Sequence, residues 1–276
     1  MVQIADIATN LELQEDGIWY SRTQTPVSYP GQGSAVCFAL EDQSFWFRHR
    51  NDCIVEVVRQ FPPAGPVLDI GGGNGYVSLG LMRAGLEAIL VEPGPDGARN
   101  ARSRGLATVI CSSLEGAGFK PASMAGAGMF DVLEHIEADA QALQGIRSLL
   151  RPQGRLYLTV PAYNWLYSYE DEEAGHYRRY TAGTLAHLLQ SAGFAVEYST
   201  YLFAFLPVPI FLLRTLPTRL GYHGKITLAA ARRDHAPPSG IAGRMLKALL
   251  GLELRALRKR MRIPFGGSCL VVARAR

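Results

Sequence analysis

The sequence predicts an α/β protein built on a mostly parallel sheet with helices on both faces. Three observations carry that expectation. Short apolar runs alternate with helical stretches across residues 66–160, the pattern of strand–helix–strand units. The first run, Val67-Leu68-Asp69-Ile70, opens directly into Gly71-Gly72-Gly73-Asn74-Gly75, a turn of the kind that begins a nucleotide-binding unit. The next run, Ala88-Ile89-Leu90-Val91, ends in a carboxylate, Glu92.

Residues 1–43 carry mixed signals and read as an N-terminal extension. It has a short strand near residues 17–20 and a turn or loop at Tyr29-Pro30-Gly31-Gln32-Gly33. Residues 44–60 read as a helix whose apolar positions include Phe45, Trp46, Phe47, Ile54, Val55, Val57 and Val58; Phe61-Pro62-Pro63-Ala64-Gly65 ends it. Strands follow at 66–70, 88–91, 108–111, 125–130 and 155–160, with helices at 76–84, 96–104 and 139–150. The 125–130 strand is weak by propensity because it is rich in Gly and Ala. Arg151-Pro152-Gln153-Gly154 is a turn before the clearest strand.

Beyond Pro161 the pattern changes. Residues 163–180 are aromatic and charged with little periodicity, and read as a functional loop or lid. A helix at 181–192 has Thr181 or Thr184 as its cap and Gly193 as its stop. A sixth strand at 194–200, a polar insert at 217–243, an amphipathic basic helix at 245–261 and a last strand at 267–273 complete the chain. The expected organisation is an extension at 1–43, a core at 44–200, an apolar and basic insert or lid at 201–262, and a terminal strand at 263–276 that completes the sheet.

Composition bounds the remaining choices. The apolar fraction is 48% and the formal net charge +4, so a large core is expected and disorder is not. Arg255, Arg258, Lys259, Arg260 and Arg262 concentrate positive charge near the end of the chain. They read either as a solvated helix face or as a surface for phosphates and anionic membrane. The stretch 201–213, Tyr-Leu-Phe-Ala-Phe-Leu-Pro-Val-Pro-Ile-Phe-Leu-Leu, is too short and too proline-rich for a spanning helix. It fits a buried or lid element, or a contact with membrane or lipid substrate. Cys37, Cys53, Cys111 and Cys269 are scattered without metal-ligand spacing. With Asp6 and Glu12 near an N-terminus that lacks a basic start, they point to a cytoplasmic protein with reduced thiols.

The glycine turn favours one ligand chemistry. Dinucleotide sites avoid a charge before the turn, because a pyrophosphate arrives there. Here Asp69 stands in the pattern Asp69-x-Gly71-x-Gly73-x-Gly75, which suits a ligand whose near end carries an ammonium and a sulfonium. Glu92 is placed to accept hydrogen bonds from ribose hydroxyls. With these residues the chain resembles the class I S-adenosylmethionine-dependent methyltransferases. Phe130-Asp131-Val132-Leu133-Glu134-His135-Ile136, Leu150-Arg151-Pro152-Gln153-Gly154, His176-Tyr177-Arg178-Arg179-Tyr180 and Phe45-Trp46-Phe47-Arg48-His49-Arg50-Asn51 resemble segments of one branch. That branch contains quinone O-methyltransferases and glycan- or lipid-associated enzymes. The resemblance spans roughly residues 44–200 and the last strand.

It implies a Rossmann-like, seven-stranded sheet with an antiparallel last strand, S-adenosylmethionine as cofactor, and methyl transfer to a small-molecule, glycan or lipid-linked acceptor, at oxygen in this branch. Cofactor contacts are implied for Asp69, Gly71, Gly73, Gly75, Glu92, Asp131 and Arg50, the last toward the methionine carboxylate. Ser113 falls where relatives carry an adenine-binding Asp. His135 is the candidate general base, with a loop-fixing histidine as the other reading. His176, Arg178, Arg179 and Tyr180 suit an anionic or sugar-bearing acceptor, or tie the lid to nearby carboxylates. No metal site is expected, and no nucleic-acid partner. A nicotinamide oxidoreductase and a non-catalytic S-adenosylmethionine-binding module are the alternatives.

Overall fold

A computed structural model describes residues 3–23, 37–222 and 236–276. Its strands are β1 (Leu11–Leu13), β2 (Trp19–Ser21), β3 (Val67–Ile70), β4 (Ala88–Val91), β5 (Val109–Cys111), β6 (Met124–Phe130), β7 (Leu150–Pro161), β8 (Phe194–Leu202) and β9 (Ser268–Ala275). They form one sheet in the order β1-β2-β5-β4-β3-β6-β7-β9-β8. The centre is parallel, and β9 lies antiparallel between β7 and β8. The sheet has nine strands rather than the seven expected. The surplus is the antiparallel hairpin β1–β2, which pairs Trp19 with Ile110 and Tyr20 with Cys111 along β5. Strands of three residues are too short to show periodicity.

The longer helices among the described residues are α1 (Phe45–Gln60), α2 (Tyr76–Arg83), α3 (Pro95–Ser103), α4 (Asp139–Leu149), α5 (Tyr169–Ala174), α6 (Ala182–Ser191) and α7 (Gly240–Arg258). Ser44 starts α1 by accepting the Trp46 and Phe47 amides on its hydroxyl. Thr181 caps α6 in a reciprocal box with Thr184. Apolar side chains pack on both sheet faces, one cluster around Leu68, Ile89, Leu156 and Val271, another around Ile54, Val67, Tyr157 and Leu257.

Strand β6 forms despite its Gly and Ala content, and every residue in it is buried. A Cβ at Gly126 would lie 2.9 Å from Pro63, so close approach to the α1–β3 connection requires glycine there and overrides propensity. The 163–180 segment is not structureless: it holds a single turn, Asn164–Leu166, and α5. The apolar stretch 201–213 divides. Tyr201, Leu202 and Phe203 are buried, while Val208, Leu212 and Leu213 lie exposed on helical turns that continue to Arg219. The basic helix begins earlier and ends sooner than periodicity suggested. The expected turn at 29–33 and part of the polar insert, residues 223–235, lie outside the described residues.

Candidate active site

The carboxyl ends of β3, β4, β6 and β7 meet at one edge of the sheet, where an open α/β fold binds its ligand. Gly71, Gly73 and Gly75 adopt φ of 66°, 53° and 76°, a region that L residues with a Cβ seldom enter. Glu92 fastens this turn to β4: one carboxylate oxygen accepts the Gly73 amide at 2.9 Å, the other the Gly94 amide at 2.7 Å. Burial raises the Glu92 carboxyl above its usual range, against those two hydrogen bonds. A Cβ built on Gly73 would meet nothing within 4 Å, so the turn faces open space. Asp69 is buried, with Ser78 Oγ donating to Oδ2 at 2.6 Å and Oδ1 without a hydrogen-bond partner. Burial pushes its carboxyl up to about 6.

The segment after β6 packs directly on the glycine turn, because a Cβ at Gly71 would lie 3.0 Å from Val132. Asp131 takes a left-handed φ of 58° and faces Arg50 Nε at 2.7 Å. Arg50 is itself buried, lies over the Trp46 ring and donates to Thr159 Oγ1 at 3.3 Å. Two residues expected at the cofactor thus meet each other. Ser113 is engaged locally, its hydroxyl accepting the Gly116 amide at 3.0 Å.

Glu134, His135 and His176 come together next to this pair, their ligand-type atoms all within 4.8 Å of one another. The two imidazole rings meet edge to face with centroids 4.6 Å apart. The Tyr177 amide donates to the Glu134 carbonyl at 2.9 Å and locks the two segments together. Burial and the neighbouring His176 push the His135 imidazole down to about 4.

Asp171, on α5, organises the loop beneath. Its carboxylate accepts from His176 Nδ1 at 2.8 Å, Arg179 Nε at 2.8 Å, Arg179 Nη2 at 2.9 Å and the Ser168 amide at 2.9 Å. Burial alone would raise this carboxyl, but the bonds from His176 and Arg179 prevail and hold it at about 2. Arg178 pairs with Asp139 at 2.9 Å, and the Tyr180 hydroxyl donates to the same carboxylate oxygen at 2.9 Å. Both guanidinium groups therefore serve loop architecture, and His176 is the member of that segment brought to His135.

Sequence reasoning missed a second buried cluster. His49 Nε2 lies 2.9 Å from Glu253 Oε1 and 3.4 Å from Cys53 Sγ, joining α1 to α7. The helical spacing of His49 and Cys53 was a signal; the partner from α7 gave none. Elsewhere, a hollow of about 420 Å³ lined by Gln3, Asp6, Lys120 and Arg151 sits at the amino ends of β6 and β7 and contains none of the site residues.

Fold and crevice together are those of a class I S-adenosylmethionine-dependent methyltransferase. Residues 45–199, more than half of the chain, match the methyltransferase-domain family, and the chain belongs to it. It is 28% identical over 111 residues to the ubiquinone biosynthesis O-methyltransferase of Xanthomonas axonopodis pv. citri, a match covering 38% of this chain and 46% of that protein. The match thus spans less than half the length of that curated relative. The fold is similar to that of Haemonchus contortus phosphoethanolamine N-methyltransferase 2, solved with S-adenosyl-L-methionine (TM-score 0.54, 17% identity, 92% of this chain and 58% of that one). It is also similar to the [4+2]-cyclase SpnF (TM-score 0.56, 17% identity, 92% and 99%). Membership of this family implies S-adenosylmethionine as the cofactor. The crevice fits it: among the described residues, nothing fills the space at Gly73 and the buried Asp69 Oδ1 has no hydrogen-bond partner.

Proposed function

We propose that residues 44–200 with 263–276 form the cofactor core and that residues 201–262 serve the acceptor side. Glu92 receives the ribose hydroxyls, Asp69 favours the cationic end of the ligand, and the Gly71-Gly73-Gly75 turn admits its backbone-close approach. Ser113 borders the adenine. Arg50, positioned by Asp131, offers its guanidinium to the methionine carboxylate. When bound, S-adenosylmethionine supplies a methyl group made electrophilic by its sulfonium. The protein's part is to hold the acceptor in line with that methyl.

We infer that the acceptor lies against Glu134, His135 and His176 and is methylated at oxygen, with His135 receiving the hydroxyl proton in the metal-free chain. The observation that carries this reading is the convergence of Glu134 and the two histidines, at a segment whose Val132 packs on the glycine turn. The partial match to a quinone-pathway O-methyltransferase supports oxygen over nitrogen. A lipid-linked acceptor is supported by exposed apolar residues on two segments: Val208, Leu212, Leu213 and Leu220 on one, Ile241, Met245, Leu249 and Leu252 on α7. Arg244, Lys247, Arg255 and Arg258 stand exposed along α7, a charge that suits an anionic lipid surface. No helix of the described residues is long and apolar enough to cross a membrane.

The test is methyl transfer from methyl-labelled S-adenosylmethionine to hydroxylated lipid and phenolic acceptors, set against amine acceptors. His135→Ala should lower transfer to oxygen by about 10²–10⁴-fold while leaving S-adenosylhomocysteine affinity intact. Label found only in amine products would overturn the reading.

A further inference from the structure

We propose that Glu134, His135 and His176 bind one divalent transition-metal cation at the acceptor end of the crevice; this rests on the acceptor reading above. Glu134 has no exposed surface, and among the described residues neither of its carboxylate oxygens has a hydrogen-bond partner. A buried carboxyl without a partner is costly, and such groups in folded proteins are normally paired or bound to a metal. Two imidazoles, those of His135 and His176, offer ligand-type atoms within 4.8 Å. His176 donates Nδ1–H to Asp171 at 2.8 Å, which leaves Nε2 as its ligand atom. Asp171 is in turn fixed by Arg179 and Ser168. That is the carboxylate–histidine arrangement that orients and strengthens a metal-bound imidazole.

The buried cluster His49–Cys53–Glu253 shows the contrast. There Glu253 accepts from the Phe203 amide at 2.8 Å and the Ala204 amide at 3.1 Å besides His49. Its carboxylate is satisfied by the chain itself and asks for no ion. Glu134 has no such partners.

Two imidazoles and one carboxylate select zinc, cobalt, iron or manganese over the oxygen-preferring magnesium and calcium, and leave coordination positions open. The histidines are half-buried and Glu134 fully buried, so the open positions face the side by which an acceptor enters. A cation there takes the acceptor oxygen as a further ligand and favours its deprotonated form. The hydroxyl loses its proton to water, the oxygen–methyl bond forms as the sulfonium–methyl bond breaks, and the methyl ether and neutral S-adenosylhomocysteine are released. In the metal-loaded chain His135 is thus a ligand rather than the base.

The experiment is titration of the full chain, freed of metal by chelation, with CoCl₂, followed by visible absorption and calorimetry. S-adenosylhomocysteine binding is measured on the same samples. One equivalent should bind. Glu134→Gln and His176→Gln should each weaken it at least tenfold, and Asp171→Asn by about 10–100-fold. Cofactor affinity should not move in Glu134→Gln, so failure of the metal site and failure of the cofactor site are separable. If His176→Gln does not fold, Glu134→Gln decides, because it keeps the shape and removes the charge. No saturable absorption, or equal cobalt affinity in wild type and Glu134→Gln, would overturn the proposal.

Discussion

The carboxylate of Glu92 accepts the backbone N–H of Gly73 at 2.9 Å, so the acidic end of β4 holds the glycine turn in its left-handed conformation. Gly73 needs no Cβ space from the protein, since nothing lies within 4 Å of where one would stand. The proposed cofactor approaches on that open side. Gly73→Ala should therefore fold, with about 1–2 kcal/mol lost to the left-handed φ. It should weaken S-adenosylhomocysteine binding at least tenfold. Thermal melting and calorimetry check both; a stable variant with unchanged affinity would show that the ligand does not pass this turn.

Asp69 links pH to stability. Its folded pKa of about 6 lies above the ordinary 3.8, so the folded chain holds this proton more tightly than the unfolded chain. That contribution is fully present below pH 3.8 and is lost as pH rises through about 6. Above that, the buried charge costs roughly 3 kcal/mol, two pH units at about 1.4 kcal/mol each. Asp69→Asn should raise the stability of the ligand-free protein near neutral pH by up to that amount and leave it unchanged near pH 4. Urea unfolding at several pH values measures this, and equal gains at all pH values would contradict it.

Arg179 spans both oxygens of the buried Asp171 and so anchors the loop that carries His176. Removing one partner of a buried pair costs about 3–5 kcal/mol. Arg179→Met should destabilise the protein in that range and release hydrogen-exchange protection across residues 163–180. Protection equal to wild type would leave the loop anchored by something else.

The exposed leucines at 213 and 220 carry a fourth prediction. Leu213→Asp with Leu220→Asp should keep the melting temperature and abolish sedimentation with vesicles containing an anionic phospholipid. Wild type should bind those vesicles and not neutral ones. Retained binding by the double variant would remove this surface from the membrane reading.

Much of the fold was legible because apolar periodicity and glycine punctuation are local signals. The strands from 66 to 160, the Thr181 cap of α6 and the terminal strand all follow from neighbouring residues. The short strand expected near residues 17–20 is β2, but the outer strand Leu11–Leu13 was not legible: it gains its meaning from pairing with β2, which in turn pairs with β5. At the crevice, the strand–turn–strand unit that brings Asp69, the glycine turn and Glu92 together was legible from one continuous stretch. The partners of the charged residues were not. Arg50 meets Asp131, Arg178 meets Asp139 and Arg179 meets Asp171, and the first two pairings join distant elements. Glu134 beside His176 belongs to the same class, which is why spacing along the chain indicated no metal.

What remains to be tested is that the crevice at Asp69 and Glu92 holds the adenosyl and amino-acid ends shared by S-adenosylmethionine and its product. Calorimetry with S-adenosylhomocysteine tests it most directly on wild type, Asp69→Ala and Glu92→Ala. Wild type should bind with micromolar affinity, and each variant should bind more than tenfold more weakly, about 1.4 kcal/mol or more. Unchanged affinity in both variants, or binding of NAD with none of S-adenosylhomocysteine, would contradict the account.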